Sequence, residues 1–390
     1  MFGTPLASIP PGTQHQSRRI VELIARGTAI SRSEIAKKLG LAPSTVSLRV
    51  QELVDIGVVH EDGVGQSRGG RRPRLLRLKE DQGSIMVGDV GGRHVRIGRL
   101  DLAGVLLDTI DLDVRLNAGP EETLRAIADA MLRMSDEAGS AHGRIRGVAI
   151  ALPGPVNLAS RSVDLPSRMP GWQGFRVGDW LENEFGVAAV VDNDANLMAL
   201  GEHHAQLESQ THSITVKAGT AIGSGIIVNG AIHHGATGAA GDVTHTRIAA
   251  AGDLPCSCGN VGCLETVASG AGLVRQLSLR GISVASTAEV LALARDADPV
   301  ATTLVRTAGT YLGEVLSSVV NFFNPHALFL SGGMASCEPF IAAVRSSIYE
   351  GCHPLVTQKL RIEPASTGPN AALLGGGRAV VEQMLFATDT

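Results

Sequence analysis

Three cysteines fall within eight residues, Cys256, Cys258 and Cys263, and His245 lies shortly before them. Thiolates and imidazole are soft donors, and four N/S ligands with no open position suit a tetrahedral, structural Zn2+. Gly259 and Gly262 let the loop close tightly around an ion; the competing reading is a group of free buried thiols. Cys337 and Cys352 lack partner spacing and read as core residues. Five cysteines in 390 residues are too few and too crowded for a disulfide framework.

Carboxylates and glycines mark a second chemistry. Asp89 closes the apolar stretch SIMVGDV and is followed by Gly91 and Gly92, the arrangement that holds Mg2+ and lets phosphates approach backbone N–H groups. In ITVKAGTAIGSGIIVNG, Gly219-Thr220 and Gly223 to Gly225 can cradle phosphates, and in HALFLSGGM, Gly332 and Gly333 reach a strand end where an adenosine can pack. Any one of these is equally a tight β-turn. Together they point to the actin-like ATPase architecture, two related α/β lobes with a nucleotide cleft between them. The strand GVAAVV delivers Asp192-Asn193-Asp194 to the start of a helix. There an Asp/Asn pair can bind sugar hydroxyls, one Asp can accept the proton of a hydroxyl attacking a γ-phosphate, and Asp192 or Asn193 can cap the helix.

The elements before these segments serve another purpose. Ser17 to Arg26 reads as a helix with Ile20, Leu23 and Ile24 on one face and Gly27 as its stop. A second helix capped by Ser31 or Ser33 turns inward Ile35, Ala36 and Leu39. Gly40 makes the turn, and Pro43-Ser44 starts a third helix with Val46, Val50, Leu53 and Val54 inside. Ser44, Thr45, Ser47, Leu48 and Arg49 are left outward, so this is a helix-turn-helix. Val58-Val59 then leads into one strand and Leu75, Leu76 and Leu78 return in another, with Arg68, Arg71, Arg72 and Arg74 on or beside a Gly-rich tip, which makes a wing. Ser44, Thr45, Ser47 and Arg49 suit the major groove of duplex DNA, and the wing arginines suit the minor groove or phosphates generally.

Charge follows the same division. From His15 to Leu78 the chain carries a net +6, whereas the whole carries −4, so the remainder carries −10. This asymmetry fits a nucleic-acid reader joined to a module that does not bind nucleic acid. With 44% hydrophobic and 18% charged residues the chain is globular, and its length accommodates three domains. The expected parts are a flexible stretch 1–14, a winged helix-turn-helix 15–80, a first lobe 81–198 with 370–390, and a second lobe 199–369 holding the zinc loop 245–265. No apolar run reaches membrane-spanning length and the N-terminus lacks the pattern of a signal peptide, so the expected location is the cytoplasm.

The residues GAIHHGATGAAGDVTHT, CSCGNVGCLE, RGGRRP and STGPNAALLGGG resemble the ROK family of repressors, uncharacterised reading frames and sugar kinases, in its winged-helix regulator branch. The resemblance runs from residue 15 to 390. It implies a winged helix on two actin-like lobes, with dimers or tetramers common. It also implies that Asn193 and Asp194 contact a hexose, Asp194 holding the base position of the kinases, and that Asp242, His245 and Glu265 line the same pocket. This chain departs from the kinase pattern in four places. Arg93 stands where kinases carry a phosphate-binding Thr, Ala221 replaces a loop glycine, Arg168 replaces a sugar-contacting Asn, and Asp242 replaces a Glu. Arg168 suits an acidic or phosphorylated sugar, or a surface or interlobe salt bridge. The expectation is a DNA-binding repressor of carbohydrate metabolism that senses a sugar or sugar derivative in the interlobe cleft. The alternatives are an ATP- and Mg2+-dependent sugar kinase with an appended DNA-binding domain and a regulator governed by a partner protein.

Overall fold

The structure, a computed structural model, describes residues 16–17, 19–21, 23–24, 29–56, 58–64, 74–78, 83–92, 94–102, 104–139, 143–164, 169–207 and 210–386. The expected N-terminal stretch 1–14, the wing-tip arginines Arg68, Arg71 and Arg72, and Arg93 and Arg168 lie outside the described residues.

Ser31 caps helix α1 (Arg32–Leu39) by accepting a hydrogen bond from Glu34 N. Gly40 ends it at φ 64°, a left-handed turn that a Cβ would strain. Pro43 then opens α2 (Pro43–Asp55), where its missing N–H costs nothing. Ile35, Ala36, Val46, Val50 and Leu53 from these helices bury against Ile20 and Ile24, which are helical as expected. Strands β1 (Val59–Val64) and β2 (Arg74–Leu78) pair antiparallel, with Val59 opposite Leu78, and contribute Val59 and Leu76 to the same core. This is the winged helix-turn-helix that the spacing predicts.

The described residues divide into two compact units. The first holds the reader together with β3 (Ser84–Val90), β4 (Val95–Leu100), β5 (Leu106–Leu112), α3 (Pro120–Glu137), β6 (Ile145–Leu152), α4 (Val177–Phe185) and β9 (Ala188–Asn193), the last residues of β6 and β9 crossing into the second. The sheet order is β5-β4-β3-β6-β9. Strand β3 is buried along nearly its whole length, as a central strand must be, and α3 lays Leu124, Ile127, Ala128 and Met131 inward at helical spacing.

The second unit contains the short pair β7 (Val156–Asn157) and β8 (Ser162–Val163), then α5 (Asp194–Gln206), β10 (Ser213–Ala218), β11 (Ile222–Val228) and β12 (Ala231–Ile232). These are followed by α6 (Glu265–Ala268), α7 (Gly270–Ser278), α8 (Thr287–Arg295), α9 (Pro299–Phe323), β13 (Ala327–Ser331), α10 (Glu338–Gly351), α11 (Pro354–Thr357), β14 (Arg361–Pro364) and α12 (Ala371–Phe386), whose later turns belong to the first unit. Its sheet runs β12-β11-β10-β13-β14, antiparallel through β10 and parallel beyond it. Counted along the chain within each unit, both sheets have the order 3-2-1-4-5. That repetition is the mark of two related lobes, and the actin-like class expected from the glycine turns is the class found. Cys337 and Cys352 are buried in the second core.

Two features seat α5, the helix that carries the site. Its Gly201 crosses Gly375 of α12 so closely that a Cβ on either would overlap the carbonyl of Ala371 or Leu197. At the next residue, Glu202 is fully buried and accepts hydrogen bonds from the backbone N–H and hydroxyl groups of Ser366 and Thr367 and from Gln206. Burial alone would raise its carboxyl, but these donors outweigh it and hold the group below its ordinary value of 4.5. The stabilisation is therefore complete above pH 4.5 and fades as the pH falls through the lower folded value. Glu202→Ala, which strands several buried donors, is expected to destabilise the chain by about 3 kcal/mol at pH 7. In urea unfolding, the advantage of the native chain over Glu202→Gln should shrink below pH 4.5, and an advantage unchanged down to pH 3 contradicts the assignment.

Candidate functional site

Strand β9 ends at Asn193, whose side chain caps α5 by accepting from Ala195 N at 2.9 Å while its amide nitrogen donates to Gly154 O at 3.2 Å. Both ends of the amide are bonded within the chain, its oxygen keeping a second lone pair, and the capping role open in the sequence falls to Asn193. Asp194, 10% exposed, accepts from Ala195 N through Oδ1 and meets Lys217 Nζ at 2.6 Å through Oδ2. Asp192 takes Asn193 N and Asn196 Nδ2 on Oδ1, and its Oδ2 lies 2.7 Å from His234 Nε2. A helix N-terminus favours these carboxylates, and neither Lys217 nor His234 was foreseen. A general base must offer a lone pair to the proton it takes. Here an ammonium already engages Oδ2 of Asp194.

Strand β11 runs directly over this turn. A Cβ on Gly225 would lie 2.5 Å from Ala195 O, and one on Gly223 would lie 3.2 Å from Ala195 Cβ, so these glycines permit close packing. In the preceding loop Gly219 N donates to Ala221 O at 3.0 Å. The carbonyls of Gly219 and Thr220 accept Gly270 N and Ala271 N from the start of α7, and Ile222 N donates to Glu265 Oε2 at 3.1 Å. Two of the N–H groups that a phosphate cradle would present are used within the chain. Gly332, at φ 85°, lies so close to Ala218 that a Cβ would clash, which gives it a packing role. In the other unit, Asp89 is half-buried on β3 and Gly91 N closes the adjoining turn on His94 O, with Gly92 exposed beside it.

The third group lies beyond β11. His245, Cys256, Cys258 and Cys263 bring one imidazole nitrogen and three sulfurs within 4.8 Å of one another, a set that can hold a metal ion. Burial and the neighbouring Cys256 and Cys258 push the Cys263 thiol up to about 12. Burial opposes ionisation of Cys258 as well, yet the N–H of Asn260 and the flanking thiols pull that group down. A cation is what allows three such sulfurs to be thiolates together. Glu265, two residues after Cys263, is 4% exposed, and the hydroxyl of Thr244, beside His245, lies 3.2 Å from Glu265 Oε2 and 2.9 Å from Ile222 O. Asp242 is exposed, and the neighbouring Gly241 O accepts from Ser224 of β11. Each described segment carrying an expected ligand-binding residue is therefore tied to β11.

The reader presents its own surface. Ser44 and Ser47 are exposed on α2, whereas Thr45 is half-buried. Arg49, 11% exposed, is bidentate to Glu52 at 2.7 and 2.8 Å. Arg74, 67% exposed, shares Glu61 with Arg32. Of the residues that went unforeseen, Lys217 left one trace in the sequence, a lone charge inside the apolar strand ITVKA. His234 left none, because its partner lies 42 residues away.

Among the described residues no helix is long and apolar enough to cross a membrane. The ROK family profile matches residues 87–382, and a winged helix-turn-helix DNA-binding profile matches residues 14–60. The xylose repressor of Bacillus spizizenii is 30% identical over 370 residues, covering 94% of each chain. The DNA-binding transcriptional dual regulator NagC of Escherichia coli is 28% identical, covering 86% of this chain and 84% of its own. Among solved structures, a ROK family transcriptional regulator described as a homolog of the E. coli MLC protein superposes with a TM-score of 0.79 at 25% identity over 96% of both chains. A ROK hexokinase from Thermus thermophilus gives 0.63 at 30% identity over 76% of this chain and 97% of its own. The chain belongs to the ROK family, in the branch whose members carry an N-terminal winged helix-turn-helix.

Proposed function

We propose that this chain is a sequence-specific DNA-binding repressor of carbohydrate metabolism, controlled by a sugar or sugar derivative bound at the Asn193–Asp194 turn. The observation that carries this reading is the 2.6 Å contact between Asp194 and Lys217 in a family fold that also bears a DNA reader. Asp194 stays poised to receive a hydroxyl but already carries a cation on Oδ2, which lowers its capacity to act as a base. The internal bonds of the Gly219–Ala221 loop weigh the same way, against efficient use of ATP and Mg2+. Names of the relatives, xylose repressor and N-acetylglucosamine repressor, supply the ligand class.

In this reading Asn193, Asp194, Asp242 and Glu265 contact the ligand, with Arg168 as a further contact for an acidic group. The degenerate nucleotide positions Asp89, Gly91, Gly92, Gly219, Thr220, Gly332 and Gly333 keep the shape of the lobes. Ser44, Thr45, Ser47 and the basic residues around them face DNA. Two copies of the chain place two readers on two half-sites, and ligand binding changes their relative placement.

The metal in this reading is structural Zn2+, held by His245, Cys256, Cys258 and Cys263. A tetrahedron with Zn–S bonds of about 2.3 Å and a Zn–N bond of about 2.05 Å has S···S edges of about 3.8 Å and N···S edges of about 3.6 Å. Cys258 and Cys263 sulfurs lie 3.7 Å apart, and His245 Nδ1 lies 3.5 Å from the Cys256 sulfur. Four protein ligands leave no position for substrate. What the chain's own residues do is mechanical: Thr244 and Glu265, next to two of the ligands, fix the start of β11.

Two experiments test these assignments. Metal analysis of the purified chain should find one zinc per chain, and Cys263→Ser, which removes the buried ligand, should lose it and lower Tm by on the order of 5 °C. Full zinc content in that variant removes the site. The full-length chain should bind DNA from its own promoter region with an affinity that falls steeply with salt, and one member of a sugar and sugar-phosphate panel should change that affinity at least tenfold. Asp194→Asn should keep the DNA binding and lose the response. Binding without salt dependence sinks the repressor reading, and turnover of ATP with a hexose, abolished by Asp194→Asn, would establish the kinase in its place.

A further inference from the structure

The helix that a winged helix-turn-helix inserts in the major groove carries, in this chain, an unusual reading face. Ser44, Ser47, Leu48 and Gln51 stand at helical spacings of three and four along α2, and all four are exposed. Leu48, the one aliphatic side chain of the four, is 54% exposed. The one basic residue of α2, Arg49, lies off this face, bound through both carboxylate oxygens to Glu52. The Gln51 amide donates to Asp55 at 2.8 Å. Cations flank the face without occupying it. Arg32 and Lys37 line a cleft between α1 and α2 together with Ser33, Pro43 and Ser47.

This separation decides what the face can read. Guanine is read most strongly by an arginine or lysine fork on its O6 and N7, and no side chain on the face offers one. Thymine is distinguished in the major groove by its 5-methyl group, which an aliphatic side chain covers and a serine hydroxyl or a carboxamide group does not. A leucine at the middle of the face, with hydroxyls on either side and a net +6 module to hold the phosphates, is complementary to that methyl. We propose that Leu48 is the specificity-determining residue of the reader and that it selects a thymine in each half-site through the 5-methyl group. The inference rests on the DNA-binding reading above and names the base that reading leaves open.

The test uses the full-length chain and duplexes selected by it from a random-sequence pool. Each thymine of a selected half-site is replaced in turn by deoxyuridine, which lacks only the methyl. In the native chain one replacement per half-site should weaken binding about fourfold, the worth of one buried methyl-sized group. In Leu48→Ala, a change at an exposed position, the same replacement should have no effect, while the dependence of affinity on salt stays as in the native chain because the phosphate contacts are untouched. Indifference of the native chain to deoxyuridine at every thymine overturns the proposal. So does an equal loss in Leu48→Ala. Failure to select any sequence refutes the DNA-binding reading itself, a result distinct from selection of sites whose thymine methyls are silent.

Discussion

Strand β11 can lie on the first turn of α5 only because Gly225 lacks a side chain, since a Cβ would stand 2.5 Å from Ala195 O. That approach sets Lys217, on the strand beside β11, within ion-pair distance of Asp194. It also makes β11 the common support of the site. Ile222 at its start is held by Glu265, Ser224 holds Gly241, and Thr244 reaches both Ile222 and Glu265. A metal ion bound by His245 and Cys263 would tighten the two segments that Thr244 and Glu265 belong to, and through them the strand. Rigidity at a capped helix turn is what a ligand needs to find its hydrogen-bond partners already oriented. The glycine sets the distance.

Lys217 changes the chemistry of that turn without changing its shape. Lys217 is 36% exposed and Asp194 10%, and the ammonium's chemical effect is on the availability of Asp194. The fold shared with a hexokinase is thus compatible with a site that binds and does not transfer phosphate. The fold leaves function open, and the side-chain contacts decide what is done with a bound sugar.

What could be read in the sequence was whatever depends on local spacing. The helix-turn-helix was legible because Ala36, Gly40 and Val46 each answer a steric demand of two helices crossing over a short turn, and the metal cluster because three of its ligands lie in one loop. The two-lobed class was legible from three glycine turns at strand ends, whereas the repeated sheet order came only from the pairing of strands far apart in the chain. Pairs brought together from distant segments were not legible. Lys217 with Asp194, His234 with Asp192 and Glu202 with Thr367 are separated by 23, 42 and 165 residues, and no periodicity announces them. Arg49 is the instructive intermediate. Its partner Glu52 stands three residues on, a spacing at which helix side chains meet, so its pairing is implicit in the sequence.

The reader places its charge and its neutral face on different residues, and this has a consequence for control. Cations on phosphates bind any duplex and weaken together as salt rises, while hydroxyl and methyl contacts to base edges distinguish sequences and are little affected by salt. A ligand in the sugar module contacts neither set. If it alters the spacing of two readers, each half-site contact stays intact in itself and only their simultaneous engagement is lost, which removes an effective-concentration advantage on the order of a hundredfold or more. A repressor built this way can release its operator without any change in the chemistry of the helix that recognises it.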